Sequence, residues 1–210
     1  MPTDVPIRCS CGAVRGIARG LEPSAGNRVV CYCDDCQAFA HFLGRAYEML
    51  DANGGSDIFQ TSPARLEFTR GGDQLACMRL SESGLLRWHS GCCNTAIGNT
   101  LARPMAFVGL LPTCMDHAAS GRSRDDALGP VRGRVQARHA YGDLGDHEAH
   151  PGFSLRMLAP MLRLLVLGRL RGEHKRSPFV DASTGAPRVT PRVLTEAERG
   201  AIRQRARILR

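Results

Sequence analysis

Seven of the nine cysteines fall into three short clusters within the first hundred residues. The clusters are Cys9–Cys11, which is a C-x-C pair, Cys31–Cys36, which is C-x-C-x-x-C, and the adjacent pair Cys92-Cys93. Thiolates at such spacings can bind one metal ion from a tight turn, and zinc prefers thiolate and imidazole ligands. In a chain kept in a reducing compartment, clustered cysteines indicate metal binding rather than disulfides. The pattern therefore predicts zinc, one or two ions per chain.

The seven thiols divide naturally into a set of four and a set of three, although counts alone allow other divisions. A four-ligand zinc site is closed and structural, whereas three protein ligands leave a position open for chemistry. Two alternatives remain: buried thiols that only pack in a core, and a redox pair formed by Cys33 and Cys36. Three tight clusters are hard to explain by packing, and the β-α-β context of a redox motif is missing. Cys77 and Cys114 stand alone in apolar segments and are predicted to be core residues.

The segments around the clusters have mostly β character. A short strand is expected over 28–33 and a short helix or turn over 36–44. Alternating apolar residues from Leu66 onward, with glycines at 71 and 72, indicate hairpin strands, and 105–111 is a further buried strand candidate. The first 115 residues therefore predict a mainly β fold class: a small antiparallel zinc-binding domain.

The three clusters carry a resemblance to a known family. CSCG at 9–12, CYCDDCQ at 31–37 and RWHSGCCNTAI at 87–97 resemble the motifs of the glutathione-dependent formaldehyde-activating enzymes, a group that includes the centromere protein V domain. The resemblance covers about residues 7–111 and implies the antiparallel zinc-binding β fold of that family.

The resemblance also implies a division of the ligands. Cys9, Cys11, Cys92 and Cys93 would form the structural zinc site, with His89 as an alternative ligand. Ser90 stands where the family has its first cysteine of the third motif, and Asn94 stands where it has a glycine.

Cys31, Cys33 and Cys36 would hold the second, open and catalytic zinc. The implied activity is that of a carbon–sulfur lyase that acts on a small thiol, or on the adduct of a glutathione-type thiol with formaldehyde. Asp34 and Asp35 lie inside this motif, and their negative charge disfavours an anionic ligand.

Residues 116–210 differ in charge from the part before them, and we predict that they form a second region, an Arg-rich, partly helical extension. Residues 1–115 hold 10 basic and 10 acidic residues, whereas residues 116–210 hold 18 basic and 10 acidic, which accounts for the net charge of +8. A second hypothesis follows, in which a zinc-stabilised, non-catalytic binding module contacts an anionic partner through this extension. Nucleic acid is a disfavoured partner, because the extension lacks interleaved aromatic residues.

The location and the helices of the chain can also be anticipated. No secretory signal features follow Met1, so a cytoplasmic location is expected, and the longest apolar run of the helical stretch is too short to span a membrane.

Helices are expected over 154–171, with Pro160 as a kink, and after Thr195, where Glu198 completes a capping box. The apolar face of the first helix is expected to cover the β-sheet and to bury Leu162 or Leu165.

Overall fold

The computed structural model describes residues 1–101, 105–145, 149–152 and 155–208; the side chains of 155–157 and 207–208 are not described. The chain is mainly β, with two sheets and a few helices, so the predicted fold class is confirmed at that level. The strands are β1 Thr3–Arg8, β2 Arg15–Leu21, β3 Asn27–Cys31, β4 Ser56–Thr61, β5 Leu66–Arg70, β6 Leu75–Arg79, β7 Leu86–Ser90, β8 Ala96–Thr100, β9 Val108–Leu110, β10 Gly133–Val135 and β11 Arg192–Val193. The helices are α1 Asp34–Phe42, α2 Ala46–Met49, α3 His117–Ser120, α4 Arg124–Leu128, α5 Leu155–Leu170 and α6 Glu196–Ile208.

The strands form a small sheet and a large one. Strands β1, β2 and β5 make an antiparallel sheet, and the large sheet has the order β10-β3-β4-β9-β8-β7-β6-β11. The inner pairs of the large sheet are antiparallel, whereas β10 pairs with β3 and β11 pairs with β6 in parallel.

The large sheet buries both of its faces, as the alternation of side chains along β7 shows. Trp88 points into a core shared with the small sheet, where it is fully buried. Its neighbours Arg87 and His89 point to the opposite face, where both contact Phe39 of α1. Since successive side chains of a strand alternate between faces, β7 separates two cores, one between the sheets and one beneath α1.

The extension contributes to both edges of the large sheet and to its core. Strand β10 lies beside β3 at one edge, and β11 lies beside β6 at the other. Phe179 is fully buried, with its ring 4.9 Å from that of Trp88 and 5.8 Å from that of Phe68 (centroid to centroid). The division of the chain near residue 115 stays a prediction, but the extension packs against the first part through these contacts.

An ion-pair network centred on the buried Arg28 joins the two regions at the β10 edge. The Arg28 guanidinium donates to Asp57 of β4 at 2.8 Å, to Asp125 of α4 at 2.5 Å and to the carbonyl of Gly129 at 2.8 Å. The Arg28 side chain is only 8% exposed, so its charge depends on these acceptors for solvation.

Several local expectations can be compared with this fold. The capping box at the start of α6 is confirmed: the Glu198 amide donates to Thr195 Oγ1 at 3.2 Å, and the Thr195 amide donates to Glu198 Oε2 at 2.8 Å. The strand expected over 105–111 is limited to Val108–Leu110.

The expected burial of Leu162 is wrong. Helix α5 forms as predicted, but Leu162 is 61% exposed, whereas Leu165 is partly buried, and Gly168 lies against Ala106. Glycine permits a close approach at one point of the helix, and the apolar stripe on another side therefore stays in solvent. Among the described residues, no helix combines the length and apolar character needed to cross a membrane.

Candidate metal centres

Four cysteines from two distant turns come together at one end of the small sheet. Cys9 and Cys11 lie in the turn between β1 and β2, and Cys92 and Cys93 lie in the turn between β7 and β8. The four sulfur atoms all lie within 4.8 Å of one another. We call these residues the four-cysteine group.

The spacing of the sulfurs in this group suits a tetrahedral ion. The Sγ–Sγ distances are 3.5 Å for Cys9–Cys11, 3.8 Å for Cys9–Cys92, 3.4 Å for Cys11–Cys92 and 3.9 Å for Cys92–Cys93. A tetrahedron with metal–sulfur bonds of about 2.3 Å places its sulfurs about 3.8 Å apart. The donor set therefore fits a thiophilic metal ion.

Backbone and hydroxyl groups support the sulfurs from outside. The Val14 amide donates to Cys9 Sγ at 3.2 Å, and the hydroxyls of Ser90 and Thr95 each lie 3.3 Å from Cys93 Sγ. Asn94 has a φ of 54°, in the left-handed region that asparagine tolerates better than most residues, and this turns the chain after the cysteine pair.

The ionisation of the four thiols is uneven without a cation. Burial raises the pKa of Cys93, but hydrogen bonds from Ser10, Ser90 and Thr95 outweigh it and lower that pKa to about 4. Burial and the neighbouring sulfurs raise the pKa of Cys92 to about 12. Four sulfurs this close repel one another when ionised, so only a cation allows all of them to be thiolates.

Ser10 and Ser90 form hydrogen bonds that hold the two cysteine-bearing turns in place. Ser90 is fully buried, accepts a hydrogen bond from the Thr95 amide at 3.0 Å and contacts Cys93 through its hydroxyl. The Arg45 guanidinium ties the two turns together by donating to Ser10 Oγ at 2.8 Å and to the Cys93 carbonyl at 2.7 Å.

His89, the alternative ligand, lies elsewhere. Its side chain is buried between the rings of Phe39 and Phe42, at centroid distances of 6.3 and 6.1 Å, and its Nδ1 has no hydrogen-bond partner in the described part of the chain. Burial lowers its pKa, so the imidazole is neutral at neutral pH. The four-cysteine group does not include it.

Cys31, Cys33 and Cys36 form a second group of thiols within 4.8 Å of one another, the three-cysteine group. Cys31 ends β3, Cys33 precedes α1 and Cys36 lies in the first turn of α1, where its amide donates to the Cys33 carbonyl at 3.0 Å. The start of a helix favours anions, so α1 favours the thiolate form of Cys36 in its first turn.

The three thiols of the three-cysteine group differ in how readily they ionise. Hydrogen bonds from Cys31 and Cys33 lower the pKa of Cys36 despite its burial, and the positive charge of Arg87 lowers it further. Arg87 is 2% exposed and stacks over the Phe39 ring at 5.4 Å. A buried guanidinium therefore offsets part of the negative charge that three thiolates would bring.

An open cleft of about 340 Å³ lies in front of the three-cysteine group. Its lining combines the motif with the extension: Cys31, Cys33, Asp34, Asp35, Gln136, His139 and Arg203. Cys33 is partly exposed, so one side of the group is accessible from solvent.

The extension reaches the cleft because β10 pairs directly with the strand that carries Cys31. Val135 lies opposite Cys31 in the register, and the Tyr32 amide donates to the Val135 carbonyl at 3.0 Å. Gln37 then bridges the two parts, since its side-chain amide donates to the carbonyls of Tyr32 and His139 at 2.8 and 3.0 Å.

Both aspartates of the motif have partners from the extension. Nδ1 of His139 lies 3.3 Å from Asp34, and the Arg203 guanidinium of α6 lies 3.3 Å from Asp35. The sequence did not indicate Gln136, His139 or Arg203, because they lie 100 to 170 residues from the motif and belong to no recognisable spacing pattern.

Comparison with known families adds one result. The family described as "Family of unknown function (DUF6151)" matches residues 1–189, which is most of the chain. The chain belongs to this family. The matched part of the chain contains both cysteine groups, together with Gln136 and His139 of the cleft. None of the curated proteins compared matches this chain.

The two cysteine groups can therefore each hold a metal ion, and they differ in their surroundings. The four-cysteine group supplies a complete tetrahedral set of thiolates. The three-cysteine group supplies three and faces a cleft.

Proposed function

We propose that this protein is a zinc enzyme that forms or cleaves the carbon–sulfur bond of a small thiol adduct at the three-cysteine group. The observation that carries the proposal is the cleft, because a three-thiolate site that faces solvent leaves a position for an external ligand. The resemblance of the three cysteine motifs to the formaldehyde-activating enzymes supports the same conclusion, as does the zinc preference of thiolate sets.

The four-cysteine group has the structural role in this proposal. It connects the β1–β2 turn with the β7–β8 turn, and its sulfurs have the spacing of a closed tetrahedral site. Zinc there would stabilise the fold without taking part in the reaction.

In the second group, Cys31, Cys33 and Cys36 would hold the catalytic ion. A zinc ion with an open position polarises an aldehyde oxygen or lowers the pKa of a bound thiol. Arg87 offsets the anionic charge of the ligands from the buried side, and the His139–Asp34 and Arg203–Asp35 pairs line the side from which a substrate would enter.

The partner contacts of the two aspartates change the expected effect of their charge. Unpaired carboxylates beside three thiolates would repel an anionic thiol, whereas Asp35 faces a guanidinium and Asp34 faces an imidazole. The guanidinium of Arg203 offsets the charge of Asp35, and a small thiol or its aldehyde adduct is the proposed substrate class in a cytoplasmic setting.

The test is exchange of formaldehyde with small thiols, followed by NMR line broadening or stopped-flow absorbance. The zinc-loaded protein should accelerate formation or breakdown of the hemithioacetal, and Cys33→Ala should abolish the acceleration. Cys77→Ala is the matched control, because Cys77 is a buried thiol outside both groups. Rates equal to buffer across several thiols would contradict the proposal and favour the non-catalytic binding module.

A further inference from the structure

Helix α5 carries an apolar stripe that the rest of the protein leaves uncovered. Leu162, Val166 and Leu170 are 61%, 49% and 78% exposed. They are spaced four residues apart, so they lie along one face of the helix. In the described part of the chain they make up three of the five large hydrophobic residues that are exposed, the other two being Met1 and Tyr47.

Exposed basic side chains lie on the same helix and directly after it. Arg163, Arg169, Arg171, Lys175 and Arg176 are all exposed, and they lie on α5 or in the six residues that follow it. The one acidic residue between 158 and 176 is Glu173, and its carboxylate lies near Gly168, on the side where the helix meets the protein. We call Leu162, Val166, Leu170 and the five cations the α5 patch.

The combination of apolar and cationic groups favours one kind of occupant. A second copy of the chain would bring five cations against five, and like charges repel across an interface. Nucleic acid would match the charge, but it needs no apolar stripe, and residues 158–176 contain no Phe, Tyr or Trp on which bases could stack. An anionic lipid surface matches both properties, since an amphipathic helix inserts its apolar side chains between headgroups while its arginines and lysines contact phosphates.

We propose that the α5 patch binds the surface of a membrane rich in anionic lipid, with α5 lying parallel to the surface. Leu162, Val166 and Leu170 already face water, so docking requires no unfolding. Leu162, Val166 and Leu170 would enter the boundary between headgroups and acyl chains, and the five cations would remain at the level of the phosphates. This proposal is independent of the proposed enzymatic function.

The experiment is co-sedimentation of the full-length, metal-loaded protein with vesicles of phosphatidylcholine alone or with 40% phosphatidylglycerol. We expect at least tenfold tighter binding to the anionic vesicles and a decrease with rising salt. The double variant Leu162→Ser/Leu170→Ser should lose at least tenfold in affinity, and Arg163→Gln/Arg169→Gln should lose about fivefold for each charge removed. All four side chains are exposed, so these variants should keep the melting temperature of the wild type.

Two controls make the result specific to the patch. Tyr47→Ser removes a fully exposed apolar residue elsewhere, and Arg15→Gln/Arg70→Gln removes two exposed charges that lie opposite each other on β2 and β5. Both should bind vesicles as the wild type does. Equal binding to neutral and anionic vesicles, no binding to either, or a dimer dissociated by Leu162→Ser/Leu170→Ser in the absence of lipid would overturn the proposal. DNA binding that survives the leucine changes, without vesicle binding, would also overturn it.

Discussion

Replacing Cys9 by serine should remove the ion of the four-cysteine group and with it a long-range connection in the fold. Cys9 is 2% exposed, and its sulfur lies 3.5 Å from that of Cys11 and 3.8 Å from that of Cys92. Serine is a poor zinc ligand, and its shorter side chain cannot restore the sulfur spacing.

The magnitude follows from the sequence separation of the two turns. Cys9 and Cys92 are 83 residues apart, and a tether across such a loop removes about 4.5 kcal/mol of chain entropy from the unfolded state. For a chain of this size, each kcal/mol changes the melting temperature by about 2–4 °C. Loss of the ion should therefore lower the melting temperature of the metal-loaded protein by about 9–18 °C.

Calorimetry and elemental analysis measure the two effects together. Cys9→Ser should bind one zinc ion fewer per chain, and a strong chelator added to the wild type should lower its melting temperature at least as much. Cys114→Ser is the control: that thiol is 1% exposed, lies outside both groups and contacts the Leu111 carbonyl at 3.1 Å, which a hydroxyl can also do. An unchanged metal content and a melting temperature within 2 °C of the wild type would refute the structural role of this group.

Three further predictions concern other parts of the chain. Phe179→Ala should destabilise the protein by about 3–5 kcal/mol, measured by denaturant unfolding, because it empties a fully buried site against Trp88; an effect below 1 kcal/mol would show that the extension is not part of the core. In metal-free protein the pKa of Cys93 is lowered from 9.0 to about 4, so its contribution to stability should be complete above about pH 9 and be lost as the pH falls towards 4. Melting curves of chelated wild type and Cys93→Ser should accordingly converge at low pH, and a difference that grows on acidification would contradict the assignment. Thr195→Ala should cost about 1 kcal/mol and increase amide exchange in the first turn of α6, because it removes half of the capping box.

The sequence supports the ligand sets better than their surroundings. The short spacing inside each cysteine cluster restricts the thiols of that cluster to one turn, and the capping box at Thr195 is a similarly local signal. The joining of Cys9 and Cys11 with the distant Cys92-Cys93 pair is implied only by the family resemblance. The cleft could not be anticipated, because it depends on the pairing of β10 with β3, and three residues give no periodic pattern. The same limit explains Arg203, whose position beside Asp35 depends on how α6 packs against α1.

The expected burial of Leu162 failed for a different physical reason. Amphipathic spacing shows that one side of α5 is apolar, but it does not show what covers that side. Gly168 brings another side of the helix against Ala106, and the stripe faces solvent. His89 shows a second limit of the sequence. It lies beside a ligand motif in sequence, but the alternation of side chains along β7 directs its imidazole to the face of the sheet that α1 covers.

The position of β10 and β11 at opposite edges of the large sheet has a consequence for synthesis on the ribosome. When residue 115 has been made, β3 and β6 have no neighbours on their outer sides, and open edges of this kind pair with other chains. The β10 edge closes only after residue 135 and the β11 edge only after residue 193. At elongation rates of about 5–20 residues per second, synthesis from residue 115 to residue 193 takes about 4–16 s, during which the nascent chain is exposed to aggregation. Chaperone dependence during translation is therefore expected to be greatest between residues 115 and 193, and it should decrease once Val193 has left the exit tunnel.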